Sequence, residues 1–154
     1  MRLTRAGEYA IRCTLYLAAC GTGILVSRRE VAGAMDIPEP FLAKVSRQLA
    51  RAKIIQIVQG AKGGYRLLVP PDKLSMLAVV EAVVGGLFLN DCVLNPASCH
   101  RSVSCSVHQV WIKAKDQLRQ TLAEATFDTL LDRGTCSAGH LAAAGVTRPP
   151  SMTI

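Results

Sequence analysis

The chain has no long uninterrupted apolar run. A membrane-spanning helix needs roughly 18 consecutive apolar residues, and the stretch that comes nearest, residues 76–89, contains Glu81. Residues 17–20 resemble a lipoprotein cleavage box, but Glu8 and Arg12 interrupt the apolar stretch that a signal peptide requires. The sequence therefore predicts a cytoplasmic protein that does not enter a membrane.

Acidic residues are also scarce, and so are the side-chain arrangements that catalysis uses. The 154 residues include 11 Asp and Glu against 18 Lys and Arg, which gives a net charge of +7. Such an excess of positive charge favours a polyanionic partner, as a nucleic-acid-binding protein would have. We find no pairing of a nucleophile with a base, and no phosphate-binding loop beyond one glycine-rich turn. The sequence therefore predicts a protein that is not an enzyme and takes no small-molecule substrate.

The first third of the chain has the pattern of a helix-turn-helix. Residues 5–20 carry apolar side chains at helical spacing. Ser27 and Glu30 have the spacing of a capping box, in which the serine caps a second helix and the glutamate reaches back. After a tight turn, residues 39–53 predict a third helix with one apolar face and one basic face. Two short helices joined by a tight turn, the second of them basic, are typical of DNA-binding helix-turn-helix units.

A β-hairpin is predicted directly after the basic helix. Residues 54–58 form a β-branched run, residues 59–64 a glycine-rich turn, and residues 65–69 a returning strand. A hairpin in this position is a wing, and we expect its glycines to let the backbone approach DNA closely. The predicted fold class is therefore mainly α: a winged helix-turn-helix over residues 1–72 with a two-stranded β wing, followed by a long C-terminal dimerisation helix.

Residues 73–133 are predicted to form a second unit. A helix over residues 75–84 precedes an irregular stretch that carries cysteines. A long helix over residues 104–126 follows, and its apolar stripe is too long for so small a domain to cover, which indicates dimerisation. The tail over residues 134–154 is rich in Ala, Gly and Pro and is predicted to be disordered.

The basic helix and the wing supply the candidate DNA-binding residues. If the helix enters the major groove, Lys44, Arg47 and Gln48 reach base edges or phosphates, while the wing meets the minor groove. A solvated basic face, or an adaptor that binds protein, is the alternative. The order of cap, turn, basic helix and hairpin favours DNA. The candidates are Arg2, Thr4, Arg28, Arg29, Pro40, Lys44, Arg47, Gln48, Arg51, Gln59, Lys62, Gly63, Gly64, Tyr65 and Arg66.

Three of the six cysteines lie on one predicted loop. Cys92, Cys99 and Cys105 are followed by His108, in the spacing C-x6-C-x5-C-x2-H. Three thiolates and an imidazole suit a soft metal centre. The tight C-x2-C pairs of structural zinc sites are missing here, so an iron–sulfur cluster is favoured over zinc. The alternative is a metal-free switch in which two of these thiols form a disulfide.

The remaining candidates for thiol or imidazole chemistry are weaker. Cys13 and Cys20 fall in a helical pattern and are predicted to be core residues. His100 is a second candidate ligand beside Cys99, and Cys136 is predicted to be a free cysteine in the tail. The position of His108 fits either a fourth ligand or an ordinary polar residue in the first turn of a helix.

Three stretches resemble one known family. They are the opening residues 1–10, the basic helix and its exit over residues 40–55, and the wing glycines with their neighbours over residues 60–67. Together with the three cysteines, they resemble the IscR/NsrR-type winged-helix iron–sulfur transcriptional regulators, known as the Rrf-two family. The resemblance covers roughly residues 1–130.

The resemblance implies a homodimer on a double-stranded DNA operator, with a cluster in each subunit whose state tunes operator affinity. The Cys105 and His108 spacing is similar to that of IscR, which favours His108 as fourth ligand and a two-iron two-sulfur cluster over a four-iron four-sulfur one. Other members take an acidic ligand near position 8 from the partner subunit, where this chain has Glu8. Gln59 stands where the family usually has an arginine. We expect a repressor that senses redox state, nitric oxide or iron and cluster supply.

Overall fold

The computed structural model describes residues 4–87 and 89–132, and the predicted disordered tail lies outside them. The helices described are α1 (Arg5–Cys20), α2 (Arg28–Ala34), α3 (Glu39–Arg51), α4 (Met76–Val84), α5 (Asp91–Leu94), α6 (Ser106–Glu124) and α7 (Phe127–Asp132). The strands are β1 (Leu25–Val26), β2 (Ile55–Val58) and β3 (Gly64–Leu67), with single 3-10 turns at Pro71–Lys73 and Pro96–Ser98. The mainly α winged-helix fold is confirmed.

Side-chain caps determine where the first two helices begin. The Thr4 hydroxyl accepts a hydrogen bond from the Gly7 N–H at 3.2 Å, and the Ser27 hydroxyl accepts one from the Glu30 N–H at 3.2 Å. The Glu30 carboxylate, expected to reach back to Ser27, accepts instead from the Tyr16 hydroxyl at 3.0 Å. That hydrogen bond ties α2 to α1.

The basic helix α3 begins at the predicted residue but ends at Arg51, two residues before the predicted boundary at residue 53. Lys53 has a φ of 57°, in the left-handed region that is incompatible with a continuing helix. The Ile54 N–H then donates to the Leu49 carbonyl at 3.0 Å, so the chain turns directly into the wing.

The predicted two-stranded wing is present as β2 and β3, and it belongs to a three-stranded antiparallel sheet whose third strand, β1, was not predicted. The strand order is β1-β3-β2, and Tyr65 on the central strand lies opposite Val26 on one side and Ile57 on the other. β1 has two residues, too few to show the alternation that identifies a strand in sequence. Its pairing requires Gly64, since a Cβ there would lie 2.0 Å from the Val26 carbonyl oxygen.

One apolar core spans both predicted units. The side chain of Phe127 on α7 is completely buried in the core, and α7 packs against α1 and the 3-10 turn at Pro71–Lys73. The Phe127 N–H donates to the Leu74 carbonyl at 3.0 Å, and the Met76 N–H donates to the Ala125 carbonyl at 2.8 Å. The chain therefore leaves the winged helix at Leu74 and returns beside it. The largest fully buried side chains are Tyr16, Phe127, Leu17, Leu42, Leu49, Ile55, Leu67, Val31, Val45, Val79, Val80 and Thr14.

The predicted long helix is present as α6. One face packs on α4, where Arg119 forms an ion pair with Glu81. Elsewhere on the helix, Val107, Val110 and Trp111 are exposed by 57%, 64% and 37%. Among the described residues, no helix combines the length and the apolarity that crossing a bilayer demands.

Candidate nucleic-acid interface and cysteine loop

The candidate recognition surface is the outward face of α3. Lys44, Arg47 and Arg51 are all exposed there, and their spacing of three and four residues puts them on one helix face. The Arg47 Nε donates to the Ala43 carbonyl at 3.0 Å, which draws this side chain along the helix. The opposite, apolar face of α3 is buried in the core, so the basic face has a fixed orientation relative to the rest of the protein.

A cleft of about 670 Å³ lies between α3 and the wing. Its walls include Arg28 and Arg29 in the first turn of α2, and both side chains are exposed. The Arg28 Nε lies 3.6 Å from a carboxylate oxygen of Glu39, a residue that the sequence analysis did not single out. An exposed ion pair of this kind contributes only about 0–1 kcal/mol. A phosphate group can therefore compete with Glu39 for Arg28 at little cost.

The tip of the wing is exposed and carries Gln59 and Lys62. Gly60 has a φ of 107°, and its carbonyl accepts from the Gly63 N–H at 2.9 Å, which closes the turn. A Cβ on Gly63 would lie 2.2 Å from the Val58 carbonyl oxygen. The geometry of the turn and the sheet thus explains why glycines are needed at these positions of the wing. Their contact with DNA stays a prediction.

Gln48 does not join the basic surface. Its side chain is half-buried, and its Nε2 donates to the Val83 carbonyl on α4 at 3.0 Å. The amide is therefore engaged inside the protein, on the flank of α3 that faces α4.

Four further predicted contacts lie among the described residues, each in different surroundings. Tyr65 is only 3% exposed, and burial raises the pKa of its phenol. Arg66 has a buried Nε without a hydrogen-bond partner among the described residues. Thr4 is the cap of α1, Pro40 lies exposed in the first turn of α3, and Arg2 lies outside the described residues.

The cysteine loop, residues 89–105, consists of short turns. Cys92 lies on α5, Cys99 follows the second 3-10 turn, and Cys105 directly precedes α6. All three are half-buried free thiols. The buried hydroxyl of Ser102 lies 2.7 Å from the Pro96 carbonyl oxygen and 2.8 Å from that of Cys99. A polar side chain, rather than an apolar contact, therefore holds the middle of the loop.

His108 is the most enclosed of the predicted ligands. It is 6% exposed, and its Nδ1 is buried without a hydrogen-bond partner among the described residues. Its backbone N–H donates to the Cys105 carbonyl at 3.1 Å, which places the imidazole on the first turn of α6. A buried imidazole nitrogen that has no partner is free to act as a ligand.

The structure does not bring the predicted ligands together at one point. Within residues 4–87 and 89–132, no three His, Cys, Asp or Glu side chains converge as a metal site would require. Glu8 on α1 is about half exposed and forms an ion pair with Arg12. The thiols and imidazole of the loop are chemically suited to a soft metal, but in this structure they do not converge on one point.

The start of the cysteine loop is tied to α6. With the Asn90 amide turned so that its hydrogen bonds are satisfied, its oxygen accepts from the Trp111 indole N–H at 2.8 Å. Trp111 is also part of the exposed apolar patch of α6. The Trp111 side chain therefore both bonds the start of the loop and contributes to the outer surface of α6.

The two cysteines of α1 have a different environment. Cys13 is completely buried, and burial raises the pKa of its thiol to about 12. Burial and the nearby Glu30 carboxylate raise the pKa of the half-buried Cys20 to about 11. Both thiols stay protonated at neutral pH, and the protonated form is the unreactive one. Cys136 lies outside the described residues.

The helix-turn-helix, the wing and the basic face together define a winged-helix transcriptional regulator. The family model Rrf2, described as "Iron-dependent Transcriptional regulator", matches residues 3–133. The chain belongs to the Rrf2 family.

Sequence relatives agree with this class. The chain is 31% identical over 127 residues to a putative HTH-type transcriptional regulator of Aquifex aeolicus, covering 81% of this chain and 88% of that protein. It is 30% identical over 125 residues to the HTH-type transcriptional regulator NsrR of Halalkalibacterium halodurans, covering 76% of this chain and 86% of the relative.

Solved structures of two kinds of regulator are similar to this one. The oxidised form of Staphylococcus aureus CymR is 25% identical, with a TM-score of 0.66, and the match covers 87% of this chain and 98% of CymR. T. potens IscR is also 25% identical with a TM-score of 0.66, covering 86% and 87% of the two chains. The structural neighbours therefore include both an IscR and a CymR.

Proposed function

We propose that the chain is a cytoplasmic transcriptional repressor whose operator affinity depends on an iron–sulfur cluster held by Cys92, Cys99 and Cys105. The observation that carries the proposal is the cysteine loop itself: three free, half-buried thiols on one short segment between α4 and α6. Thiolates are the ligands that iron–sulfur clusters use. When bound, such a cluster supplies a group that responds to oxidants, nitric oxide or iron supply.

His108 is the proposed fourth ligand. Its Nδ1 is buried and unpartnered among the described residues, while Glu8 is exposed and already paired with Arg12. A Cys3His donor set agrees with a two-iron two-sulfur cluster; a four-iron four-sulfur cluster is the alternative, and zinc fits less well without a C-x2-C pair. Because the thiols do not yet converge, ligand binding would draw the loop into one conformation.

The proposed DNA contacts follow from the exposed cations. Lys44, Arg47 and Arg51 face the major groove, and Arg28 with Arg29 binds phosphates beside it. Lys62 on the wing reaches the adjacent backbone or minor groove. Since most of these contacts are electrostatic, affinity should fall steeply with salt.

The proposed active form is a homodimer joined along α6. Val107, Val110 and Trp111 expose an apolar patch on a helix whose other side is already covered by α4. An exposed apolar patch of this kind marks an association surface. A dimer would also present two copies of α3 to two half-sites of an operator.

A second candidate is a metal-free thiol switch on the same fold. The free, non-converged thiols of the cysteine loop favour it, as does the similarity to the oxidised form of S. aureus CymR. In this reaction two loop thiols lose two protons and two electrons to an oxidant such as a peroxide, which is reduced, and one S–S bond forms.

The deciding experiment is an absorbance spectrum with iron and sulfide analysis on protein purified without oxygen. We expect visible charge-transfer bands and matched amounts of iron and sulfide. Replacing Cys92, Cys99 or Cys105 by alanine should abolish both bands and metal. Cys20→Ala is the matched control, since it removes a half-buried free thiol outside the loop and should leave the spectrum unchanged.

Operator affinity completes the test. A DNA duplex selected from a random pool should bind the cluster-loaded and cluster-free proteins with different affinity. The cluster proposal is rejected if the protein stays colourless after reconstitution. If the DNA binding of such a protein responds to oxidant alone, the metal-free thiol switch is supported instead. Unchanged iron content and affinity in the triple alanine variant would rule out both.

A further inference from the structure

Gln48 connects two helices that have different tasks in the proposed function. Its amide leaves the basic face of α3 and donates from Nε2 to the Val83 carbonyl oxygen at 3.0 Å. Val83 lies in the last turn of α4, where backbone carbonyls have no partner within the helix. Gln48 therefore acts as a side-chain cap on the end of α4.

The oxygen of the Gln48 amide shows that the hydrogen bond from Nε2 determines the orientation of the side chain. Gln48 Oε1 is buried and has no hydrogen-bond partner among the described residues. Reversing the amide would bring its oxygen against the Val83 carbonyl, which offers no donor. The one orientation that the site accepts is the one that joins α3 to α4.

The end of α4 that Gln48 holds is the last helical turn before the cysteine loop. Gly85 follows at once with a φ of 85°, and its N–H donates to the Glu81 carbonyl at 3.0 Å. The Glu81 carboxylate forms the ion pair with Arg119 on α6, the helix that starts directly after Cys105. The cysteine loop is therefore linked to α4 from both ends: Gly85 leads from α4 towards the loop, and α6 leads from Cys105 to Arg119, which pairs with Glu81 on α4.

We propose that Gln48 is a positioning residue that transmits the state of the cysteine loop to the recognition helix, and not a residue that reads DNA. A change in the loop shifts the last turn of α4, and the Gln48–Val83 hydrogen bond carries that shift to α3. Lys44 and Arg47 lie within one turn of Gln48 on the same helix, so their placement on an operator changes with it. This inference rests on the proposed function.

The test compares Gln48→Met with Arg47→Ala. Methionine keeps the length of the side chain while removing both the donor and the unpartnered acceptor, so the fold should be retained. Affinity for a duplex selected by the unmodified protein is measured at several salt concentrations, with and without reconstituted cluster. For Gln48→Met we expect the ratio between the two affinities to move at least fivefold towards one, with the salt slope unchanged.

Arg47→Ala should behave in the opposite way. It should weaken binding in both states, leave their ratio unchanged and lower the salt slope by about one, as loss of a phosphate contact does. The inference is overturned if Gln48→Met gives this same pattern, because the amide would then be a DNA contact. A Gln48→Met protein with unchanged affinities in both states would overturn it as well.

A second measurement keeps the inference testable if the proposed cluster control fails. If the unmodified protein binds equally well in both states, the double-mutant cycle of Gln48→Met with Arg119→Met is measured on cluster-free protein. Coupling through α4 predicts that the two losses in affinity are not additive, although both residues lie away from the basic face. Losses that multiply to within about twofold are what independent sites show, and they would overturn the inference.

Discussion

The winged helix and the cysteine loop are built in opposite ways. α1 alone contributes Tyr9, Tyr16 and Leu17 to the apolar core. In the cysteine loop, by contrast, no apolar side chain is buried, and Ser102 is its single buried residue. The comparison shows a winged helix that shares one apolar core with α4 and α7, joined to a loop that lacks the apolar contacts to fix its own shape. A ligand or a disulfide can therefore change the conformation of the loop without unfolding the winged helix.

Phe127→Ala should produce the largest effect, because it empties the centre of the shared core. Large-to-small changes at fully buried aromatic residues typically cost about 3–5 kcal/mol. Val103→Ala in the cysteine loop is the control, since Val103 is 94% exposed, and should change stability by less than about 0.5 kcal/mol. Urea unfolding measures the free energy of unfolding of both variants. Equal losses in the two would contradict the distinction between core and loop.

Gly64→Ala should rank second. The added Cβ would lie 2.0 Å from the Val26 carbonyl oxygen, so β1 must separate from β3. We expect a loss of roughly 2–3 kcal/mol, within the range of strained single substitutions. Gly86→Ala, just before the cysteine loop, meets no atom within 4 Å and is the matched control. A Gly64→Ala protein as stable as Gly86→Ala would show that the wing sheet tolerates separation.

High pH should weaken the core through Cys13. Burial raises the pKa of this thiol from 9.0 to about 12, so the unfolded chain loses the proton first. This stabilising contribution is complete below pH 9 and is lost as the pH rises towards 12. The slope is at most about 1.4 kcal/mol per pH unit. The difference in unfolding free energy between the unmodified protein and Cys13→Ala should therefore shrink above pH 9; a constant difference would contradict a buried thiol.

Ser102→Ala should give the smallest effect on global stability and a clear local one. Its hydroxyl holds the Pro96 and Cys99 carbonyls, and a typical hydrogen bond contributes about 0.5–1.5 kcal/mol. We expect faster amide hydrogen exchange within the cysteine loop and an unchanged urea midpoint. A shifted midpoint would mean that the loop and the winged helix unfold as one unit.

The sequence identified the elements that have repeated local signals. α1 has the predicted bounds, and α2 begins directly after the predicted cap, Ser27, whereas the cap of α1 at Thr4 was not predicted. β1 was missed because two residues cannot show a period, although Leu25 and Val26 do alternate between exposed and buried. Its existence depends on pairing with β3, which no local pattern encodes.

The candidate site was predictable in its residue types and less so in its geometry. Lys44 and Arg47 are exposed as predicted, because helical spacing alone puts them opposite the apolar stripe. Gln48 lies at the border of that face, and only the packing of α4 decides which way its amide turns. The burial of His108 likewise follows from tertiary packing, not from its spacing to Cys105.

The bridge between Ser75 and Thr126 has a consequence for how such a protein can diversify. The polypeptide departs from and rejoins the winged helix at neighbouring points, so the segment between these two residues has adjacent ends, although α4 within it packs on α1 and α3. Insertions with adjacent ends can be lengthened, shortened or exchanged while the host domain keeps its connectivity. The architecture therefore suits changes in the length and sequence of the cysteine loop, between α4 and α6, on an unaltered winged-helix scaffold.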